Sequence, residues 1–166
     1  MNKTKTKKED LRVSGGDRLS RIAALGETVF HAGDAANLWR ITNKNSLNKT
    51  LSRYVSDGIL HRIYKGFYSV RKVGDINPIF LGAKAINAYA YLSCESVLFQ
   101  NGVLNQSPQE ITFVSSDSKH FKIAGINYRS RRMSDEFLFN DVGVETKDGV
   151  RVATLSRAMA DMLYFN

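Results

Sequence analysis

Between Asn43 and Ser56 the chain groups four residues that could touch a nucleic acid. At the helical turn of about 100° per residue, Asn45, Asn48, Lys49 and Ser52 share one face, and no carboxylate lies among them. An Asn amide can bond an adenine edge in the major groove, and Lys and Ser can bond phosphate or base. Asn43 and Lys44 precede this face, Arg53 borders it, Arg40 lies just upstream, and Arg62 and Lys65 are downstream. Lys49, Arg53, Arg62 and Lys65 are the expected phosphate contacts, which give salt-dependent affinity. Asn45, Asn48 and Ser52 are the better candidates for reading bases.

These residues need a scaffold, and the flanking sequence supplies one. Leu47, Leu51 and Tyr54 recur at helical spacing, with Val55 beside them, so the helix has a buried face opposite the polar one. Asp57-Gly58 stops it, with Gly58 as the left-handed C-terminal residue. Ile59, Leu60, Ile63, Tyr64, Phe67, Tyr68 and Val70 then predict two strands around a Lys65-Gly66 turn. Upstream, Asp17 caps a helix over Arg18–Leu25, and Thr28-Val29-Phe30 forms an extended link. A second helix, Asp34–Trp39, begins at Gly33-Asp34. The turn Arg40-Ile41-Thr42-Asn43 then leads to Thr42 or Asn43 as N-cap of the third. Three helices followed by a hairpin are the plan of a winged helix-turn-helix. A polar helix face alone is usually only solvated; the conjunction with the basic hairpin and the absent carboxylates favours duplex DNA. Tyr64 and Tyr68 are expected to pack the wing rather than stack on bases.

Charge separates this stretch from the second half of the chain. Residues 1–74 hold 15 Lys/Arg against 6 Asp/Glu, whereas residues 75–166 hold 9 against 10. Lys3, Lys5, Lys7, Lys8 and Arg12 contribute part of the excess, yet residues 17–74 keep 10 basic against 4 acidic residues without them. A basic first half and a near-neutral second half fit a nucleic-acid module joined to one with another task. The division is therefore a disordered basic tail at 1–16, a DNA-binding domain at 17–72, a linker over 71–77, and a small α+β domain at 78–166. At 43% hydrophobic residues the 166-residue chain can bury a core. The fold class expected is α+β.

In the second half Pro78 to Tyr91 predicts a helix opened by proline and weakened by Gly82. Ser93 opens another, with a capping-box-like Ser93…Ser96 start and a stop at Gly102. Strands are expected from Glu110 to Ser116, on either side of Ala124-Gly125, and over Val142–Thr146 and Val150–Ala153 about a Lys147-Asp148-Gly149 turn. Thr154 caps a last helix whose buried face is expected to be Leu155, Met159, Met162 and Leu163. Its apolar residues run on to Asn166, so the end is expected to be a truncation or to pack on a partner.

Other chemistries find little support. His31, His61 and His120 are isolated and Cys94 has no partner at ligand spacing, so no metal site or cofactor is expected. Phosphate-binding glycine loops and a G-x-S-x-G nucleophile elbow are missing from the sequence. Cys94 on an apolar helix reads as a core thiol. Asp135, Asp141, Glu145 and Lys147 sketch a Mg²⁺-dependent nuclease pattern, but Lys147 sits at a hairpin tip, and Glu-x-Lys is common by chance. A single cysteine excludes an internal disulfide and agrees with a reducing cytoplasm. Neither a signal peptide nor a membrane span is expected.

Three patches resemble the AbiEi family, antitoxins of type IV toxin–antitoxin systems. Leu51-Ser-Arg-Tyr-Val-Ser-Asp-Gly-Ile-Leu-His-Arg-Ile-Tyr-Lys-Gly-Phe-Tyr resembles the family's entry into its wing. Tyr91-Leu-Ser-Cys-Glu-Ser-Val-Leu-Phe-Gln-Asn-Gly-Val is similar to its Y-x-S-x-x-S-A-L helix. Val152-Ala-Thr-Leu-Ser-Arg-Ala-Met-Ala-Asp-Met-Leu is similar to its A-T-P-E-R-A-L-x-D-L-L close, with Leu155-Ser156 where Pro-Glu is usual. The match covers about residues 17–164, with the three patches in the family's order. The resemblance implies a cytoplasmic, non-enzymatic, DNA-binding autorepressor of a phage-defence operon. Its implied partners are double-stranded operator DNA upstream of its own operon and a cognate nucleotidyltransferase toxin countered without a stable complex. A homo-oligomer on DNA also falls within this expectation. The alternatives are a winged-helix module that docks protein, and the nuclease.

Overall fold

The computed structural model describes residues 15–24 and 26–166. The fold is α+β. The expected tail lies outside the described residues up to residue 14, as does Leu25; Gly15 and Gly16, assigned to that tail, form the first turn of a helix.

The N-terminal unit runs α1 (Gly15–Ala24), β1 (Val29–His31), α2 (Ala32–Trp39), α3 (Lys44–Ser56), β2 (His61–Tyr64) and β3 (Phe67–Ser69). What the sequence suggested was an extended link at Thr28–Phe30 is a true strand, because β1 pairs antiparallel with β3 in a sheet of order β1-β3-β2. Ile59, Leu60 and Val70 fall outside the strands. Helix α2 begins two residues before the predicted Asp34 start. Its N-cap is His31, whose backbone N–H donates to Asp34 Oδ2 at 2.9 Å. The acidic residue therefore closes the first turn from inside the helix.

Sidedness of the small sheet explains how the two halves of the chain join. Successive strand residues point to opposite faces. Phe30 and Tyr68 enter the core with Trp39, Leu47, Leu51 and Tyr54. Their neighbours Val29 and Phe67 enter the core of the C-terminal unit. One sheet thus carries three helices on one face and the second unit on the other. Polar contacts seal this seam: His31 stacks on Phe67 at 4.5 Å and its Nε2 lies 3.0 Å from Lys84 O. Lys84 Nζ bonds both Glu27 carboxylate oxygens at 2.9 Å. Tyr64, though exposed, donates to Ala85 O of the second unit at 3.2 Å, and Tyr68 is buried. The stretch predicted as a linker contains a 3₁₀ turn (Val73–Asp75), and Ile76 behind it is buried.

The C-terminal unit comprises α4 (Pro78–Ile86), β4 (Ala90–Leu92), α5 (Cys94–Gln100), β5 (Glu110–Ser115), β6 (Lys119–Ile123), β7 (Ile126–Arg132), α6 (Asp135–Leu138), β8 (Val144–Lys147), β9 (Val150–Ala153) and α7 (Leu155–Tyr164). Its sheet has the order β6-β7-β5-β4-β9-β8, with β5–β7 and β4–β9 parallel. Helix α4 covers one face, where Gly82 meets the Tyr128 and Phe113 rings. Helix α5 and the end of α7 lie on the other, where Arg131 meets Glu95 and Phe165.

Two expectations fail here for physical reasons. The helix predicted through Tyr91 ends at Ile86, with Asn87 left-handed (φ 53°) after it, and Ala90–Leu92 is an inner strand. All three of its residues are buried. A strand covered on both faces shows an unbroken apolar run instead of alternation, and periodicity cannot tell it from helix. The second failure is the face of α7. Leu155, Met159 and Leu163 are exposed, Met162 is half-buried, and the buried positions are Ala158 and Asp161. Asp161 is 2% exposed yet accepts from Ser93 Oγ at 2.6 Å and from Arg157 Nε at 2.9 Å. Those charge-assisted bonds orient the helix against its apolar stripe. Ser93 is thereby drawn away from capping α5, and Ser96 accepts from Thr112 N–H at 2.8 Å instead. Helix α6, at Asp135, was not anticipated.

Candidate nucleic-acid interface

Asn43 is the residue that starts the candidate recognition helix. Its Oδ1 accepts from the backbone N–H groups of Asn45 (2.9 Å) and Ser46 (3.1 Å). An N-cap of this kind is worth roughly 1 kcal/mol. That amide oxygen is committed to the fold, so only the Asn43 NH₂ is available outward.

Arg40 holds the preceding turn. It sits at φ 53°, left-handed, at the C-cap of α2, and Ile41 N–H returns to Ala36 O at 2.9 Å. The tight turn sets α3 against α2, where Trp39 meets Tyr54 edge-on at 5.9 Å and donates its indole N–H to Arg18 O at 3.0 Å. Leu47, Leu51 and Tyr54 are all buried, as their spacing required.

Every candidate contact residue lies on the surface. Arg40, Asn43, Lys44, Asn45, Asn48, Lys49, Ser52 and Arg53 are exposed along the turn and α3, and Arg62 and Lys65 are exposed on the hairpin. Helix α3 has no acidic residue in its first turn, and its side chains up to Ser56 include no carboxylate. Arg53 lies over the Tyr54 ring at 5.4 Å, which places its guanidinium at the edge of the face. Gly66, at φ 85°, allows the tight turn beside Lys65, and its carbonyl accepts from Ala32 N–H at 2.8 Å. The hairpin tip is therefore tied to the start of α2. What the arrangement offers chemically is a rigid polar ridge with cations at both ends and donors between them.

The nuclease pattern is arranged differently. Glu145 and Lys147 pair with each other at 3.3 Å on β8, and Asp141 accepts from Tyr89 Oη at 2.8 Å. Among the described residues no group of three or more His, Cys, Asp or Glu side chains is placed to hold a metal ion. Cys94 is fully buried, and burial raises its thiol pKa to about 12. No described helix is long and apolar enough to cross a membrane.

A polar node in the second unit carried little signal in the sequence. Arg157 Nη2 donates to Tyr91 Oη at 2.7 Å and to Phe137 O at 2.9 Å; Nη1 donates to Asn140 O at 2.7 Å and Val142 O at 3.0 Å. Burial, and then the Asp161 carboxylate, push the Tyr91 hydroxyl well above its ordinary pKa, against the opposing pull of Arg157. Tyr91, Ser93, Arg157 and Asp161 come from two of the patches that carry the family resemblance, and they meet in one hydrogen-bonded cluster. The Arg157–Asp161 spacing of four was the available signal. No protein-family model matches the chain, and no curated protein sequence matches it.

Proposed function

We propose that the N-terminal unit is a winged helix-turn-helix that binds double-stranded DNA, and that the protein is a sequence-specific repressor. Helix α3 enters the major groove with Asn45, Asn48, Lys49, Ser52 and Arg53, and the hairpin lays Arg62 and Lys65 on the adjacent backbone. The observation that carries this reading is the exposed, carboxylate-free face of α3, held rigid by the Asn43 cap and flanked by a basic hairpin. Arg and Lys at the rim supply affinity through counterion release, and the Asn and Ser side chains supply base preference.

Within that reading the protein acts as the antitoxin of a type IV system, represses its own operon from the cytoplasm, and opposes a nucleotidyltransferase toxin. The AbiEi-like patches in the sequence support it. The test is a binding assay on DNA from upstream of the gene. Asn48→Ala is expected to relax base preference at one or two positions while keeping most affinity for unrelated duplex. Equal binding of the unchanged protein to specific and scrambled duplex contradicts a repressor role.

A second reading, in which the protein docks another protein, draws on one observation. Phe137, Phe139, Val142, Met159, Leu163 and Tyr164 are large apolar side chains left exposed around α6 and α7. Loss of a partner on Leu163→Asp, with DNA binding intact, distinguishes it.

A further inference from the structure

We infer that the recess at the β6–β7 end of the six-stranded sheet binds a phosphate group, free or carried by a small ligand. Charge first singles it out. Residues 119–132 carry five Lys/Arg and no Asp/Glu, whereas the rest of residues 75–166 carries four against ten. Averaging over the near-neutral half conceals this concentration.

The recess has a volume of about 410 Å³ and is lined by Ser118, His120, Arg129, Arg131, Arg132 and Phe165, among others, with no Asp or Glu side chain in its wall. That size suits a small metabolite-like ligand. Arg131 is fixed from behind by Glu95, 2.5 Å from Nη2, and by the Phe165 ring beneath it at 5.4 Å. Its buried Nε has no hydrogen-bond partner. Arg129 is half-buried and forms no ion pair among the described residues. Ser118 Oγ accepts from Arg132 N–H at 3.1 Å, which leaves its own proton to donate. His120 lies with Nδ1 3.4 Å from Glu110, leaving Nε2 outward.

A plainer explanation covers only part of this. Lysines on an edge strand discourage pairing with other chains, which accounts for Lys119 and Lys122 on β6. It does not account for Arg129 and Arg131, because β7 is an interior strand between β6 and β5. Planar guanidinium groups match phosphate oxygens in pairs, and Arg129 has no protein carboxylate among the described residues to occupy its fork. The recess opens on the sheet face opposite α4, so it is separate from the α3 face.

The test titrates the full chain with inorganic phosphate and, separately, with AMP, following backbone amide resonances. Saturable shifts centred on residues 118–120 and 129–132 are expected, unchanged in Lys49→Ala. Arg129→Gln should weaken binding by about tenfold or more, the loss of a charge-assisted hydrogen bond. Arg132→Gln, at an exposed position that leaves the fold intact, should weaken it in the same direction. Tighter binding of AMP than of phosphate identifies an organic phosphate as the ligand; equal binding identifies the free anion. Absence of saturation, affinity unchanged in both variants, or shifts produced only by duplex DNA overturns the inference.

Discussion

Arg157 and Asp161, one turn apart on α7, form a buried ion pair of 2.9 Å, with side chains 12% and 3% exposed. The pair does more than hold a helix. Through Arg157 it ties down the carbonyls of Phe137, Asn140 and Val142, and through Asp161 it holds Ser93 at the start of α5. Removing one member of such a pair strands a buried charge, at a cost of about 3–5 kcal/mol. Arg157→Met should lower unfolding stability by that amount in urea titration, and Arg157→Met with Asp161→Asn should recover part of it. A loss below about 1 kcal/mol for the single variant contradicts a buried role.

Gly82 is required by its neighbours. A Cβ there would stand 2.5 Å from two Tyr128 ring carbons and 3.0 Å from a Phe113 carbon. Alanine in a helix interior gains about 1 kcal/mol over glycine, but overpacking costs about 1–3 kcal/mol. The clash should win, so Gly82→Ala lowers the melting temperature. Tyr128→Leu in the same chain should offset the loss, and the two effects should fail to add.

High pH should destabilise the C-terminal core. Burial raises the Cys94 thiol from 9.0 to about 12 and the Tyr128 hydroxyl from 10.0 to about 12. Raised values mean that the folded protein keeps protons which the unfolded chain releases. Stability from Cys94 is lost as the pH rises from 9 toward 12, by up to about 1.4 kcal/mol per pH unit, and that from Tyr128 from pH 10 upward by less, because solvent screens its part-buried hydroxyl. Denaturant midpoints measured from pH 8 to 11 should fall, and Cys94→Ala should flatten the fall between 9 and 10. At pH 8 the native thiol should resist a disulfide reagent that labels the unfolded chain at once.

The N-terminal unit was legible because its signals are local. Leu47, Leu51 and Tyr54 declare their face by spacing alone, and Gly58 and Gly66 mark their turns. Strand β1 was not legible, since three residues cannot show alternation and their partner, β3, is distant in the chain. The end of α4 is hidden in the sequence for the related reason that Ala90–Leu92 is buried throughout and continues the apolar run as a strand. On α7 the apolar stripe does not mark the buried face, because Ser93, 68 residues away, fixes the helix through Asp161. Non-local polar contacts are invisible to periodicity, and here they set the sidedness of α7.

The measurement closest to the central claim is the salt dependence of duplex DNA binding by the full chain. Lys49 on α3 and Lys65 on the hairpin are both exposed and both assigned to phosphate. Each alanine substitution should weaken binding to all sequences. It should also reduce the slope of log affinity against log salt by about one unit. Unchanged slopes in both variants, or no duplex binding at low salt, would show that the α3 face and the hairpin do not grip DNA.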